Sequence, residues 1–219
     1  MPSYLHGLLL SRNVHALPRH VRGVANAPVR AIECGGLAAL VGDVGATPEA
    51  ALDGVRAHDA ALQAVIDARV TVAAARFGQT FTTSADVCTH LERVGARVQR
   101  VLEEFDGCGE MRLLMHDTAA LDPAATTSRL DDAASPGRAY LEHLRSRVLP
   151  ALRLAPALGP VVRAERVARM PRGSGAVFAH LVEFGSVDDY RSAVAAVPAL
   201  AEARLVGPVA LYSFAEPEL

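Results

Sequence analysis

Short apolar runs alternate along the chain with longer stretches whose apolar residues recur every three or four positions. The runs read as strands and the stretches as helices. Tyr4 to Leu10 is almost continuously apolar, which predicts a strand buried on both faces. Val29–Cys34 and Leu37–Val44 predict two more strands, turned at Gly35-Gly36, a pair favoured in tight hairpins. Thr47-Pro48-Glu49 has the chemistry of a helix entry: a capping hydroxyl, a first-turn proline and an acid at the positive dipole end. That helix is expected to reach Asp67, with Leu52, Val55, His58, Leu62, Val65 and Ile66 as its apolar stripe. Val70–Ala75 is the next strand. Ser84 is expected to cap a second helix, whose stripe of Val87, Leu91, Val94, Val98, Leu102 and Phe105 is the most regular in the chain. Asp106-Gly107 ends it.

Glu110–His116 reads as a strand, and residues 117–134 as a polar loop. Ser135-Pro136 opens a third helix with Tyr140, Leu141, Leu144 and Val148 on one face, stopped by Pro150. Val161–Met170 and Ala176–Phe184 flank the turn "PRGSG" and predict a hairpin. Ser186-Val187-Asp188-Asp189 resembles a capping box, and a fourth helix is expected from there to Val197. Leu205–Phe214 predicts a last strand, which Gly207-Pro208 demotes to an edge or a bulge. From residue 108 the order is strand, helix, strand, strand, helix, strand, the ferredoxin-like split arrangement. The expected fold class is α+β with two small domains. Residues 108–219 form the ferredoxin-like one (βαββαβ), and residues 1–107 a related α+β arrangement.

Composition agrees with a packed core and excludes a disordered chain. Of 219 residues, 51% are apolar, but only 5% are aromatic and none is Trp, so the core must be built from Ala, Val and Leu. Every basic residue is Arg. A net charge of −2 gives no basic field for nucleic acid or anionic lipid, and the second half lacks the aromatic-rich strands of RNA-binding sheets. Charge is nevertheless sorted: residues 103–135 carry eight acids and two Arg, residues 136–172 eight Arg and two acids. Such blocks are either solvated or mutually paired faces, or a docking surface for a partner protein. No apolar run approaches the ~18 residues of a membrane span, and Leu8-Leu9-Leu10 is too short for a signal peptide. Three cysteines, Cys34, Cys88 and Cys108, with no CxxC spacing, suit a reducing compartment. The expectation is a cytoplasmic protein.

Candidate chemistry is sparse. No two of the eight histidines stand at metal-ligating helical spacing, and there is no HExxH. His58 lies on an apolar stripe. It reads either as a core-edge histidine bonded to backbone or to Asp, or as a haem or metal ligand. No nucleophile elbow or phosphate-binding glycine loop is present. Arg76 interrupts the chain just after an apolar strand. It reads either as a buried ion pair with Glu110 or as a contact for a partner protein.

The stretch "VAAARFGQTFTTSADV" resembles the signature of the gas vesicle protein GvpF/GvpL family, in which an apolar strand leads through Arg-Phe-Gly into a helix. "YLHGLL", "GGLAALVGDV", "GCGEMRLLM", "SPGRAYLEHLRSRV" and "GPVALYSFAEPEL" are similar to other family segments and fall in the family's order. The matching positions are His58, Arg76, Phe77, Gly78, Glu110, Gly137, Tyr140, Leu141, Gly207, Pro208, Tyr212 and Phe214. Ala74 stands where the family usually has Pro, and Gln79 where it usually has Thr; a Trp often found near the last Gly-Pro is missing. These departures leave the F and L branches both open.

The resemblance implies an accessory or minor structural protein of gas vesicles, with two α+β domains. It implies binding to the hydrophobic major shell protein and to other gas vesicle accessory proteins, support of vesicle assembly, no cofactor and no catalytic residues. The reading from another class is a ferredoxin-like α/β-barrel oxygenase or haem protein using a buried histidine such as His58, His116 or His180. A third is a self-assembling scaffold in which the charge blocks pair between copies.

Overall fold

A computed structural model describes residues 1–48, 51–115, 154–169 and 175–214. The chain divides into two compact units: residues 1–110 with the returning segment from Gly207, and residues 111–206.

The first unit is built on an antiparallel sheet of β1 (Ser3–Leu10), β2 (Val29–Cys34), β3 (Leu37–Asp43), β4 (Ala73–Ala74) and β5 (Thr80–Phe81). The order is β2-β3-β1-β4, and β5 also pairs with β1. Strand β1 is buried at every position, as its continuous apolar run predicts. The Gly35-Gly36 turn joins β2 to β3, and Gly35 takes the left-handed conformation that such a turn requires (φ 65°). Two helices, α1 (Leu52–Asp67) and α2 (Ser84–Glu104), pack on this sheet.

Both helices begin differently from their expected starts. Thr47 does not cap α1; its hydroxyl is bonded to that of Thr80 on β5 (3.1 Å), and α1 starts after Ala51. The apolar stripe is buried only from His58 onward, through Ala61, Leu62, Val65 and Ile66; Leu52 and Val55 are exposed. Helix α2 is capped by Thr83, one residue before Ser84. Thr83 and Asp86 form a reciprocal capping box, with the Asp86 amide donating to the Thr83 hydroxyl (3.1 Å) and the Thr83 amide to the Asp86 carboxylate (2.9 Å). Val87, Leu91, Val98 and Leu102 bury the face of α2 that the periodicity marks. Cys34 and Cys88, read from sequence as reduced thiols, are joined by a disulfide, because β2 ends where α2 passes over the hairpin. Cys108 is free and buried.

The other sheet contains β6 (Cys108–Met115), β7 (Ala164–Arg169), β8 (Ala176–Glu183) and β9 (Arg204–Val209), in the order β7-β8-β6-β9. Counted along the chain from β9, this is 4-1-3-2, the order of the ferredoxin-like split βαβ sheet. Strand β9 lies at the sheet's edge, where its Pro208 is tolerated. Helix α3 (Val187–Ala195) precedes β9; Ser186 makes no side-chain cap bond to it, so the expected capping box does not form. Met111, Leu113, Phe178, Val182, Tyr190 and Leu200 are among the core residues of the second unit. The expected third helix, with Gly137, Tyr140 and Leu141, and residues 171–174 of the "PRGSG" turn lie outside the described residues.

Candidate functional site

The Arg-Phe-Gly signature closes over a buried aromatic cluster in the first unit. Its floor is β1. The pairing of β1 with β3 slips between Leu5 and Gly7, so His6 occupies a β-bulge, a feature that re-aims a side chain. Tyr4, two residues earlier, meets the His6 ring edge to face (centroids 4.8 Å). His58 on α1 stacks on His6 (5.4 Å) and shares a 2.8 Å hydrogen bond between its Nδ1 and the Tyr4 hydroxyl. Phe77 packs edge-on against both Tyr4 (5.8 Å) and His58 (5.9 Å). The Gly78 amide donates to the Tyr4 oxygen (3.5 Å), and Gly78 holds φ 91°, a conformation natural to glycine. The Leu5 amide donates to the Gln79 carbonyl (2.9 Å) and the Ala75 amide to the His6 carbonyl (2.9 Å). The signature loop is thereby stitched to β1 on both sides of Phe77.

Burial dominates the electrostatics of this cluster. It pushes the His6 imidazole down to about 3, and the neighbouring His58 adds to the effect. Burial also lowers His58, with Asp59 opposing. The Tyr4 phenol is pushed up to about 12, chiefly by burial. Both imidazoles are therefore neutral at pH 7. His58 Nε2 and both nitrogens of His6 have no hydrogen-bond partner among the described residues. The His6 ring is wedged against the chain at Gly23, where an added Cβ would stand 2.3 Å from Nε2. Among the described residues no group of three or more His, Cys, Asp or Glu side chains is placed to hold a metal ion.

Arg76 is not the buried ion-pair partner that the preceding apolar strand suggests. It is exposed, because β4 ends at Ala74 and the chain has already turned outward. Glu110 is fully buried, but it serves the returning segment: it accepts from the Ser213 amide (2.7 Å) and the Ser213 hydroxyl (2.8 Å). The C-terminal motif is fastened to α1 as well. The Tyr212 hydroxyl donates to Asp59, and Gln63 donates to the Pro208 carbonyl (3.2 Å). Phe214 packs against Phe105 (6.2 Å), and Gly207 precedes Pro208 through a cis peptide. Helix α1 thus touches the signature through His58 and the C-terminal motif through Asp59 and Gln63. Of the residues singled out in the sequence, the structure joins His58, Phe77 and Gly78 in one cluster, and Glu110, Pro208, Tyr212 and Phe214 in the tail's attachment.

Sequence reasoning missed Tyr4 and His6. Their spacing of two on a strand was the available signal, since it puts both on one face. It also missed a buried network in the second unit. His180 is fully buried, with Nδ1 bonded to the Tyr190 hydroxyl (2.6 Å) and Nε2 to Glu165 Oε2 (2.8 Å). The same Glu165 oxygen accepts from the amides of Leu154 and Ala155 (both 2.8 Å). Burial lowers the His180 pKa against the opposing pull of Glu165, and raises that of Tyr190. This network ties two backbone amides to the sheet and exposes no reactive atom.

The family profile described as "Gas vesicle synthesis protein GvpL/GvpF" matches residues 3–216. Comparison with curated protein sequences returns no match. The fold is similar to the crystal structure of gas vesicle protein GvpF from Microcystis aeruginosa, at a TM-score of 0.72 and 17% identity, covering 98% of this chain and 99% of that one. It is equally similar to the gas vesicle protein GvpF from Anabaena sp. PCC7120, with TM-score 0.72, 17% identity and coverage of 98% and 96%. Among the described residues no helix is long and apolar enough to cross a membrane. With the profile spanning nearly the whole sequence, the chain belongs to the GvpL/GvpF family of gas vesicle synthesis proteins.

Proposed function

We propose that this protein is a cytoplasmic accessory or minor structural component of gas vesicles. It binds the hydrophobic major shell protein and other gas vesicle accessory proteins, and supports shell assembly. The observation that carries the reading is the family match over residues 3–216. The geometry of Arg76 supports its use in docking: the residue is exposed, with no side-chain hydrogen bond or ion pair to the described residues, on a loop that Phe77 and Gly78 anchor. A cation on a pre-ordered loop loses little backbone entropy on binding, and Arg is enriched among residues that dominate interfaces. Strand β2 offers a second element: it is an edge of its sheet, and an edge strand accepts a further strand. The oxygenase or haem reading gains no support from His58 or His180, whose bonded nitrogens are directed at Tyr4, Tyr190 and Glu165.

Co-expression with the shell protein tests this. We expect the shell protein to co-purify with the chain and to gain solubility; if it does neither, the reading fails. Arg76→Glu should keep the wild-type melting temperature while reducing co-purification about tenfold, the scale of one interface contact. Retained binding by that variant removes Arg76 from the interface.

A further inference from the structure

The Cys34–Cys88 bridge has a placement unlike that of a buried structural staple. Cys34 is the last residue of β2, beside the exposed Gly35-Gly36 turn, and Cys88 lies one turn into α2. Their Cα atoms are 5.4 Å apart, and both residues are half-buried. Cys108 differs: it is buried, and its amide and carbonyl are both bonded to the Thr71 hydroxyl (3.1 and 2.9 Å).

The hairpin and α2 do not depend on the bridge for contact. Leu37 approaches Gly95 so closely that an added Cβ there would lie 3.2 Å from its methyl, and Gln99 reaches over Gly36. Val87, Leu91, Val98 and Leu102 also hold α2 on the unit by their own burial. Opening the bridge therefore releases a tether without dismantling the unit. The ring it closes spans 54 residues and encloses β3, α1, β4, the Arg-Phe-Gly signature and β5.

We propose that Cys34 and Cys88 form a reversible thiol–disulfide site whose co-substrates are low-molecular-weight thiols and their disulfides, of the glutathione class. In oxidation, one protein thiolate attacks the sulfur–sulfur bond of the small disulfide, forming a mixed disulfide and releasing one small thiolate. The second protein thiolate attacks the protein sulfur of that adduct, forms the Cys34–Cys88 bond and releases the second small thiolate. Two electrons pass from the protein dithiol to the small disulfide, and the two protons go to the released thiolates. Reduction runs the same steps backward. This inference goes beyond the partner-binding reading and does not require it.

The test uses the full, folded chain equilibrated in reduced and oxidised glutathione mixtures, rapidly alkylated at neutral pH with the fold intact, and weighed whole. We expect two thiols to appear and disappear together as the mixture changes, with Cys108 alkylated only after denaturation. Reduction should lower the melting temperature by about 10 °C, the scale for opening a ring of this length, and oxidised glutathione should restore it. The double variant Cys34→Ser with Cys88→Ser should melt near the reduced wild type in every mixture. The proposal is overturned if the bridge fails to form in the most oxidising mixture. It is overturned equally if the bridge resists millimolar reduced glutathione in the native state, or if both forms melt at the same temperature.

Discussion

Tyr4 is the residue on which the first unit's buried cluster turns, since its one hydroxyl serves both His58 Nδ1 and the Gly78 amide. Tyr4→Phe keeps the ring contacts but strands His58 Nδ1 in an apolar interior and removes the acceptor of the half-buried Gly78 amide. We expect a loss of about 1–3 kcal/mol in urea unfolding, with Gly78 exchanging its amide hydrogen faster. The histidines beside it set a pH dependence. Folding depresses His6 to about 3, and lowers His58 in the same direction, from an unfolded value near 6.5. Between about pH 6.5 and 3 the unfolded chain therefore holds protons that the folded chain does not. The His6 contribution to stability is complete above this window and falls as pH falls through it, by about 1.4 kcal/mol per pH unit, and His58 adds a loss in the same direction. His6→Leu should flatten the unfolding free energy between pH 6 and 4 by close to one proton; an unchanged slope would sink this account. His58 was visible in the sequence as a polar break in an apolar stripe. Its partner was not, because Tyr4 lies 54 residues away and only the fold brings them together. The ion-pair reading of Arg76 failed for a related reason. The apolar run before it implied burial, yet the paired strand is only Ala73–Ala74, and the arginine falls after the chain leaves the sheet.

At the scale of elements, the local signals were strong where the chemistry is local. The continuous apolar run became β1, the glycine pair became the β2–β3 turn, and the regular stripe became α2. Helix starts were less legible, because neighbouring hydroxyls compete for the same role. Thr83 and Ser84 both have capping chemistry, and Asp86 decides between them by standing three residues after Thr83. Thr83→Ala should then cost about 1 kcal/mol in thermal or urea unfolding, while Ser84→Ala should change stability by only a few tenths. Thr47 lost its expected role to a contact with β5, an element of two residues that no periodicity announces. The bulge at His6 is likewise absent from the pattern, since a slip in register shows only once β1 and β3 are paired.

Across the whole molecule, the four strands of the second sheet and the helix before the last of them were legible, whereas the return of the chain to its first unit was not. That return is made by backbone and side-chain groups distant in sequence. Leu211 bridges to Ala73, Tyr212 reaches Asp59, and Glu110 holds Ser213 across 103 positions. Glu110→Gln keeps the shape but removes the charge that Ser213 meets twice. We expect a loss of about 2 kcal/mol and earlier proteolytic cleavage after Val209. The same return has a consequence for how the protein is made. A nascent chain usually folds its leading domain while the rest is still being translated, at about 5–20 residues per second. Here the leading unit is incomplete until the segment from Gly207 has left the ribosome, so its apolar strand edge at β4 waits on the order of ten seconds for Leu211 to cover it. The ribosome and its associated chaperones are then the first partners this chain meets, before any vesicle protein.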